Sequence, residues 1–557
     1  MKNNIILVLI ITLALLVRVI GISNYPTGFT QDEAGLGYEA YSILQTGKDS
    51  WGVTMPLVLR SFGDFKMPIY SYLAIPGIAI FGLNEFAVRL PGALFGTLAV
   101  LATYLMVLKL CKKRLVAIIS AFVLALSPWH ISLSRGAFEA NLTTFFIPLG
   151  IWAFYVGLKK PRWMILSTLA FGLNLFSYHS ARIFTLLIFP VLIIATFKGT
   201  ALQGMKISFS RYSISIIVIL TFIALLVYSM FLGAGKRGLD LTILNPTDKW
   251  QVVSDRRYEA VLQNLPDNIA RIFSNKVTYL IYQFTNNYLT YLSPTSFFTQ
   301  GVSGWDYGMT PGRGVLYLIE LISVFTGFYF FIRGKNIKGT NIFFIWFFLS
   351  PIATALSKGG GFVGTRAAVM MPSIQIISAL GIYLIYKKLK FNVNNYKITY
   401  FLLIFIIFIA SFTFFIENYL YHAPAKAAAS MQYGRKQMIE YINQVEGEYD
   451  EIFISRTVSA PNIWVQFYKK INPKAVQLAS KEWLQYEHSG FGYLDQLDGY
   501  RLGKYTFGSI DRNSLKEKGK VLVVGKPEEF GENFKPLEVI LYPDNKPAFY
   551  IADARDF

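Results

Sequence analysis

Eleven stretches of this chain are each apolar enough, and close enough to twenty residues, to cross a lipid bilayer. They lie near 5–22, 88–108, 115–129, 141–158, 163–179, 183–197, 212–233, 314–332, 340–357, 366–386 and 398–417. A spanning helix needs about 20 mostly apolar residues, and backbone inside lipid must satisfy its own hydrogen bonds. The composition agrees. Hydrophobic residues make up 54% of the 557 and charged residues only 15%, where soluble domains carry about 25%. The expected fold is therefore an α-helical polytopic membrane protein. The first stretch lacks a small-residue cleavage site, so it reads as a retained span rather than a signal peptide.

A formal charge of +20 would suggest nucleic acid on a soluble chain, but this background argues against that partner. The charge has a simpler distribution. Lys2, Lys109 to Arg114, Lys159 to Arg162, Lys198 to Arg211, Arg333 to Lys338 and Lys387 to Lys397 supply eighteen basic residues and no acid. Short cytoplasmic loops collect Lys and Arg. Eleven spans with the N-terminus inside put every cluster on the cytoplasmic side. A twelfth apolar stretch, 67–83, carries Pro68 and Pro76. Counting it as a span would move every later cluster outside, so it is expected to lie in the outer interface.

Two domains follow. Residues 1–417 form the transmembrane domain, with long outer loops at 23–87 and 234–313. Residues 418–557 form an extracytoplasmic α/β domain, with a helix over 426–446 and strands at 451–455, 520–525 and 537–542. One cysteine, Cys111, rules out a disulfide framework, and four scattered histidines give no Cys/His metal cluster. No Walker or dinucleotide fingerprint occurs.

Candidate chemistry gathers at outer ends of spans. Asp32 and Glu33 follow the first span, where Thr30-x-x-Glu33 also reads as a capping box opening a helix to about Leu44. Lys66 precedes Met67-Pro68 at the start of the interfacial helix, as a phosphate ligand or a snorkelling lysine. Arg135 and Glu139 stand four apart, so one helix face could carry both, as a functional pair or a plain ion pair. Arg182 ends the Tyr178–Arg182 segment, and Arg366 closes the glycine-rich run from Ser357 that also contains Lys358. With Arg89, these arginines collect where outer loops usually have few. A base acting on an acceptor and cations clamping an anionic leaving group would suit this set.

In this order, Asp32-Glu33, Lys66-Met67-Pro68-Ile69-Tyr70, Phe86-Ala87-Val88-Arg89-Leu90-Pro91, Ser134-Arg135 through Glu139, Tyr178 through Arg182 and the Arg366 region resemble the GT-C glycosyltransferases of family 39, the protein O-mannosyltransferase and aminoarabinose transferase superfamily. The resemblance covers residues 1–417 and is most specific over the first 180. It implies inverting transfer of a sugar from a polyprenyl-phosphate donor to a protein, lipid or glycan acceptor outside the cytoplasm. Asp32 would be the general base and Glu33 would support its loop. Glu139 would orient the acceptor, and Lys66, Arg135 and Arg366, with Arg89 and Arg182, would hold the donor phosphate. Glu139 stands where the family commonly has Asp, Phe65 where aminoarabinose transferases have an acid, and Met67 where a proline is usual. No cofactor and no obligatory metal are expected. The competing reading is a lipid transporter or flippase, which would keep ionisable groups near the midplane and show repeat symmetry; neither is evident in the sequence.

Overall fold

The computed structural model describes residues 2–198, 209–245, 250–305, 308–335, 337–388 and 394–557. Lys206 and Lys390 of the basic clusters lie outside them. The first part of the chain runs α1 (Lys2–Val19), α2 (Gln31–Thr46), β1 (Leu59–Arg60), β2 (Phe65–Lys66), α3 (Ile69–Phe81), α4 (Glu85–Cys111), α5 (Arg114–Leu126), α6 (Pro128–Ser134), α7 (Thr143–Gly157), α8 (Arg162–Leu175), α9 (His179–Lys198) and α10 (Ser213–Ser229).

Each of the eleven expected stretches contains a helix, although the one at 314–332 is helical only from Glu320, and the protein is a multi-pass membrane protein. Among the described residues, five helices are individually long and apolar enough to cross a bilayer: Glu85–Cys111, Glu139–Gly157, His179–Thr196, Ser210–Ala234 and Tyr396–Ala427. α5 and α6 are long and apolar enough only when taken together, and they meet at 59°. Pro128 opens α6, and a proline there removes one helix donor. The remaining stretches form shorter helices, α1, α8, Glu320–Ile332, Asn341–Ala355 and Ser373–Lys388, packed against the longer ones. The 67–83 stretch yields a helix of 13 residues, about 20 Å long at 1.5 Å per residue. That is short of the roughly 30 Å hydrocarbon core, as is Glu320–Ile332 with the same 13 residues, so length alone does not set this stretch apart from the expected spans.

The C-terminal part holds β3 (Glu451–Ser455), β4 (Tyr500–Leu502), β5 (Tyr505–Gly508), β6 (Val521–Gly525), β7 (Glu538–Leu541) and β8 (Pro547–Asp553) in one sheet of order β4-β5-β3-β6-β8-β7. β3 is parallel to β5 and β6, and the other pairings are antiparallel. The three strands expected from sequence are β3, β6 and β7. The helix expected over 426–446 begins only at Arg435, after a separate turn at Ala423–Ala427.

Strand alternation shows how this sheet is seated. Successive side chains point to opposite faces, and Phe453, Val521 and Val523 join one small apolar cluster with Leu515 and Phe530. Ile452, Ile454, Leu522 and Val524 point the other way, into a larger cluster with Trp464 and Phe467 that continues into Leu36 and Tyr38 of α2 and Tyr70 of α3. The sheet thus shares one face of its core with the 23–87 segment. α2 lies between the membrane helices and the C-terminal domain, and its first turn is tied to both, through Glu33 to Arg89 and Ala137 and through Gln31 to Gln432 and Ser459.

Candidate active site

The start of α2 is fixed by the capping box read from sequence. Thr30 Oγ1 accepts the Glu33 N–H at 3.3 Å, and Glu33 Oε2 accepts the Thr30 N–H at 3.0 Å. Glu33 does more than cap. Arg89 donates to both its oxygens at 2.8 and 3.1 Å, and the Ala137 N–H donates to Oε1 at 3.0 Å. Both side chains of this ion pair are completely buried. The remaining Arg89 donors reach carbonyls of Ile22, Pro26 and Gly28. A single buried pair therefore ties the 22–28 loop, α2, α4 and the 135–139 turn together. Gly28, at φ +91°, lets that loop touch the Met431 backbone, where a Cβ would come within 2.3 Å of the carbonyl oxygen.

One residue earlier, Asp32 projects about 100° around the helix and remains one-third exposed, with Lys66 Nζ at 2.7 Å. Lys66 sits in β2, before α3 rather than at its opening as expected, because Leu59 and Arg60 pair with it and Phe65 in a short hairpin. Its ammonium also lies 5.1 Å from the Phe62 ring. Burial works against the charge on Lys66, but Asp32, Asp64 and Glu139 more than offset it and hold the ammonium above the usual lysine range. Glu139 takes the Met67 N–H, and its Oε1 is buried without a hydrogen-bond partner. Asp32 and Glu139 share a cavity of about 30 Å³ with Ala137, Phe138, Tyr178 and Thr365.

The structure gathers Asp32, Lys66 and Glu139, and sets Arg366 next to the wall residue Thr365. Arg366 is half-buried and donates to the Lys358 carbonyl. The other arginines are spent on the protein itself. Arg135 caps the end of α1 through the carbonyls of Val17, Ile20 and Tyr25. The expected helix face shared with Glu139 does not form, since α6 ends at Ser134 and Glu139 opens a separate short turn. Arg182 donates to the Leu175 carbonyl and lies over Phe176. Among the described residues no three His, Cys, Asp or Glu side chains converge as a metal ligand set; the acids here face an ammonium.

Two supports were missed in the sequence. Arg18, fully buried, donates to carbonyls of Leu124 and Ala125 at the α5–α6 break and to His130 Nδ1 at 2.8 Å. With Nδ1 accepting, His130 carries its proton on Nε2, which faces Thr144 Oγ1 at 3.1 Å. This network satisfies the carbonyls freed by the break and so sets the turn that delivers Glu139. A charged residue inside an apolar stretch was the available signal.

The other is Glu39, seven residues after Asp32 on the same face of α2. It accepts the N–H and O–H of Ser50. Burial, then the neighbouring Asp49, pushes its pKa from 4.5 up to about 8. Burial pushes Asp49 from 3.8 to about 6 against the N–H groups of Val53, Trp51 and Gly52. Both carboxyls bind protons more tightly folded than unfolded, so their contribution to stability is complete below the unfolded values and is lost as pH rises through about 6 and then about 8. The thermal midpoint in detergent is expected to fall across that window, and Glu39→Gln to remove most of the slope. An identical slope in the variant would refute this account.

Residues 66–229 match the family described as dolichyl-phosphate-mannose-protein mannosyltransferase. No curated protein matches the chain by sequence. Among solved structures, ArnT from Cupriavidus metallidurans in the apo state is similar over 99% of this chain and 98% of that one, with a TM-score of 0.54 and 12% identity. The same protein bound to undecaprenyl phosphate gives 0.56 and 11%, over 98% of both chains. The fold is thus that of the GT-C membrane glycosyltransferases of the mannosyltransferase and ArnT type, and the family's sequence signature lies across the part of the chain that carries Lys66, Glu139 and Arg182.

Proposed function

We propose that the protein transfers a sugar from a polyprenyl-phosphate donor to an acceptor hydroxyl on the outer side of the membrane, with inversion and with Asp32 as general base. The observation that carries this reading is the Asp32–Lys66 contact at 2.7 Å beside Glu139 and the shared cavity. An ionised Asp32 accepts the acceptor's proton as the new glycosidic bond forms, while the bond to the donor phosphate breaks. Neutralising Asp32 releases Lys66 from its partner just as negative charge grows on the leaving phosphate, so one ammonium serves both stages. Arg366 stands next to the cavity wall as a second cation for the phosphate. Glu139 orients the acceptor through its unpartnered oxygen. The match to a polyprenyl-phosphate-linked family and the likeness to a protein solved with undecaprenyl phosphate support the donor class. The basic loops support an inside N-terminus and an outer C-terminal domain.

A cavity of about 30 Å³ is too small for a sugar ring, so the residues that line it must move apart before a sugar enters. The test offers the reconstituted chain labelled polyprenyl-phosphate sugars and, in parallel, nucleotide sugars. Consumption of the lipid-linked donor alone is expected. Turnover of a nucleotide sugar, or of neither, would sink the proposal.

A further inference from the structure

A second, larger cleft opens between the first outer loop and the C-terminal domain. It measures about 330 Å³. One wall is the 22–28 loop, whose carbonyls Arg89 holds. The opposite wall is the helix Arg435–Val445, with Tyr468 from the helix Pro461–Tyr468 beside it.

The lining is rich in groups that both give and take hydrogen bonds. Asn24, Gln432 and Gln437 bring amides, Glu85 and Glu440 bring carboxylates, and Tyr433 and Tyr468 bring rings with hydroxyls. Gln437 Oε1 is buried without a partner, an acceptor awaiting a donor. Lys436 pairs with Glu85 at 3.1 Å, which leaves Glu440 as the net charge. Such a surface rejects an anionic ligand. It suits hydroxyl groups, each a donor and an acceptor at once, on a ring that rests against an aromatic face. The residues lining the cleft lie on helices and loops, so an extended peptide would find no strand edge to pair with.

One lining residue, Gln432, is also bonded to the first residue of α2. Gln432 accepts the Gln31 backbone N–H and donates to Gln31 Oε1 at 3.2 Å, and Ser459 donates to the same oxygen at 2.8 Å. Gln31 directly precedes Asp32. An occupant of the cleft touches the amide that fixes the neighbour of the base.

Resting on the transferase reading above, we propose that this cleft is the acceptor site and that it takes a neutral, polyhydroxylated saccharide chain. The experiment uses the full chain in nanodiscs and saturation-transfer NMR with maltotriose, cellotriose and chitotriose, with a short Ser/Thr-rich peptide as the contrasting probe. At least one trisaccharide is expected to bind. Gln437→Leu and Asn24→Leu, each removing one hydrogen-bonding group, are expected to weaken it about tenfold while acceptor-free hydrolysis of the polyprenyl donor stays at the wild-type rate. Failure of all three trisaccharides to bind, or equal binding by both variants, overturns the proposal. Peptide binding that the two variants abolish overturns it in favour of a protein acceptor. Donor consumption is read separately: its absence in the wild-type chain overturns the transferase reading, and with it the acceptor role of the cleft.

Discussion

Asp32→Asn is expected to lower sugar transfer by roughly two to four orders of magnitude, the usual worth of a positioned general base, in a chain that inserts and unfolds like the wild type. The geometry makes this substitution unusually clean. Asn keeps the shape of Asp, and the helix start is held by Thr30, Glu33 and Arg89 rather than by Asp32. Lys66 loses its nearest partner but keeps Asp64 and Glu139 in its field, so it remains an ammonium. Freed from Asp32, it is better placed for the donor phosphate. The loss should therefore fall on kcat while the KM for the lipid donor stays level or drops. This split separates a base from a donor ligand, because removing a phosphate contact raises KM. Wild-type turnover in Asp32→Asn would end the assignment, and a raised KM with normal kcat would transfer the residue to donor binding.

Much of this architecture was legible in the residues, for reasons that differ by element. Long apolar stretches leave few structural options in lipid, so each predicted span contains a helix, although among the described residues only five of these helices are individually long and apolar enough to cross. The capping box at Thr30 and Glu33 is a local rule and holds as written. β3, β6 and β7 each hold a short apolar run, Ile-Phe-Ile, Val-Leu-Val-Val and Val-Ile-Leu, and were found. β4 and β5 are only three and four residues long and carry no pattern that outweighs their surroundings. β8 carries a Phe-Tyr-Ile run of its own but was not among the expected strands. The arginines mark the limit of sequence reasoning most clearly. Arg89, Arg135, Arg182 and Arg366 look alike in sequence, each near an outer helix end. Which of them meets a ligand depends on whether a nearby carbonyl or carboxylate takes the guanidinium first, and that is settled by long-range packing. Arg135 goes to the last turn of α1, over a hundred residues away, and Arg89 goes to Glu33. Glu39 was missed for the same reason, since only the fold encloses it with Asp49.

Arg89→Met is expected to destabilise the chain by about 3–5 kcal/mol, the cost of removing one partner from a buried ion pair. The pair is completely enclosed. Without the guanidinium, Glu33 is left charged in a closed site, and the carbonyls of Ile22, Pro26 and Gly28 lose their donors. Glu33→Gln should cost less, because it leaves no buried charge unpaired and Arg89 keeps its loop carbonyls, although the single amide oxygen can accept from only one of Thr30 and Ala137, which reach different carboxylate oxygens. In the double variant the orphaned carboxylate is gone, so its loss should be smaller than the sum of the two single losses. Thermal unfolding in detergent measures all three. The cycle also decides between two jobs for Arg89. If the residue held the donor phosphate, Arg89→Met would raise the donor KM at an unchanged midpoint, and Glu33→Gln would have little effect on either. A coupled loss of stability, with activity falling in proportion to folded protein, identifies the pair as the tie that holds the cleft loop, the Asp32 helix and the Glu139 turn in one frame.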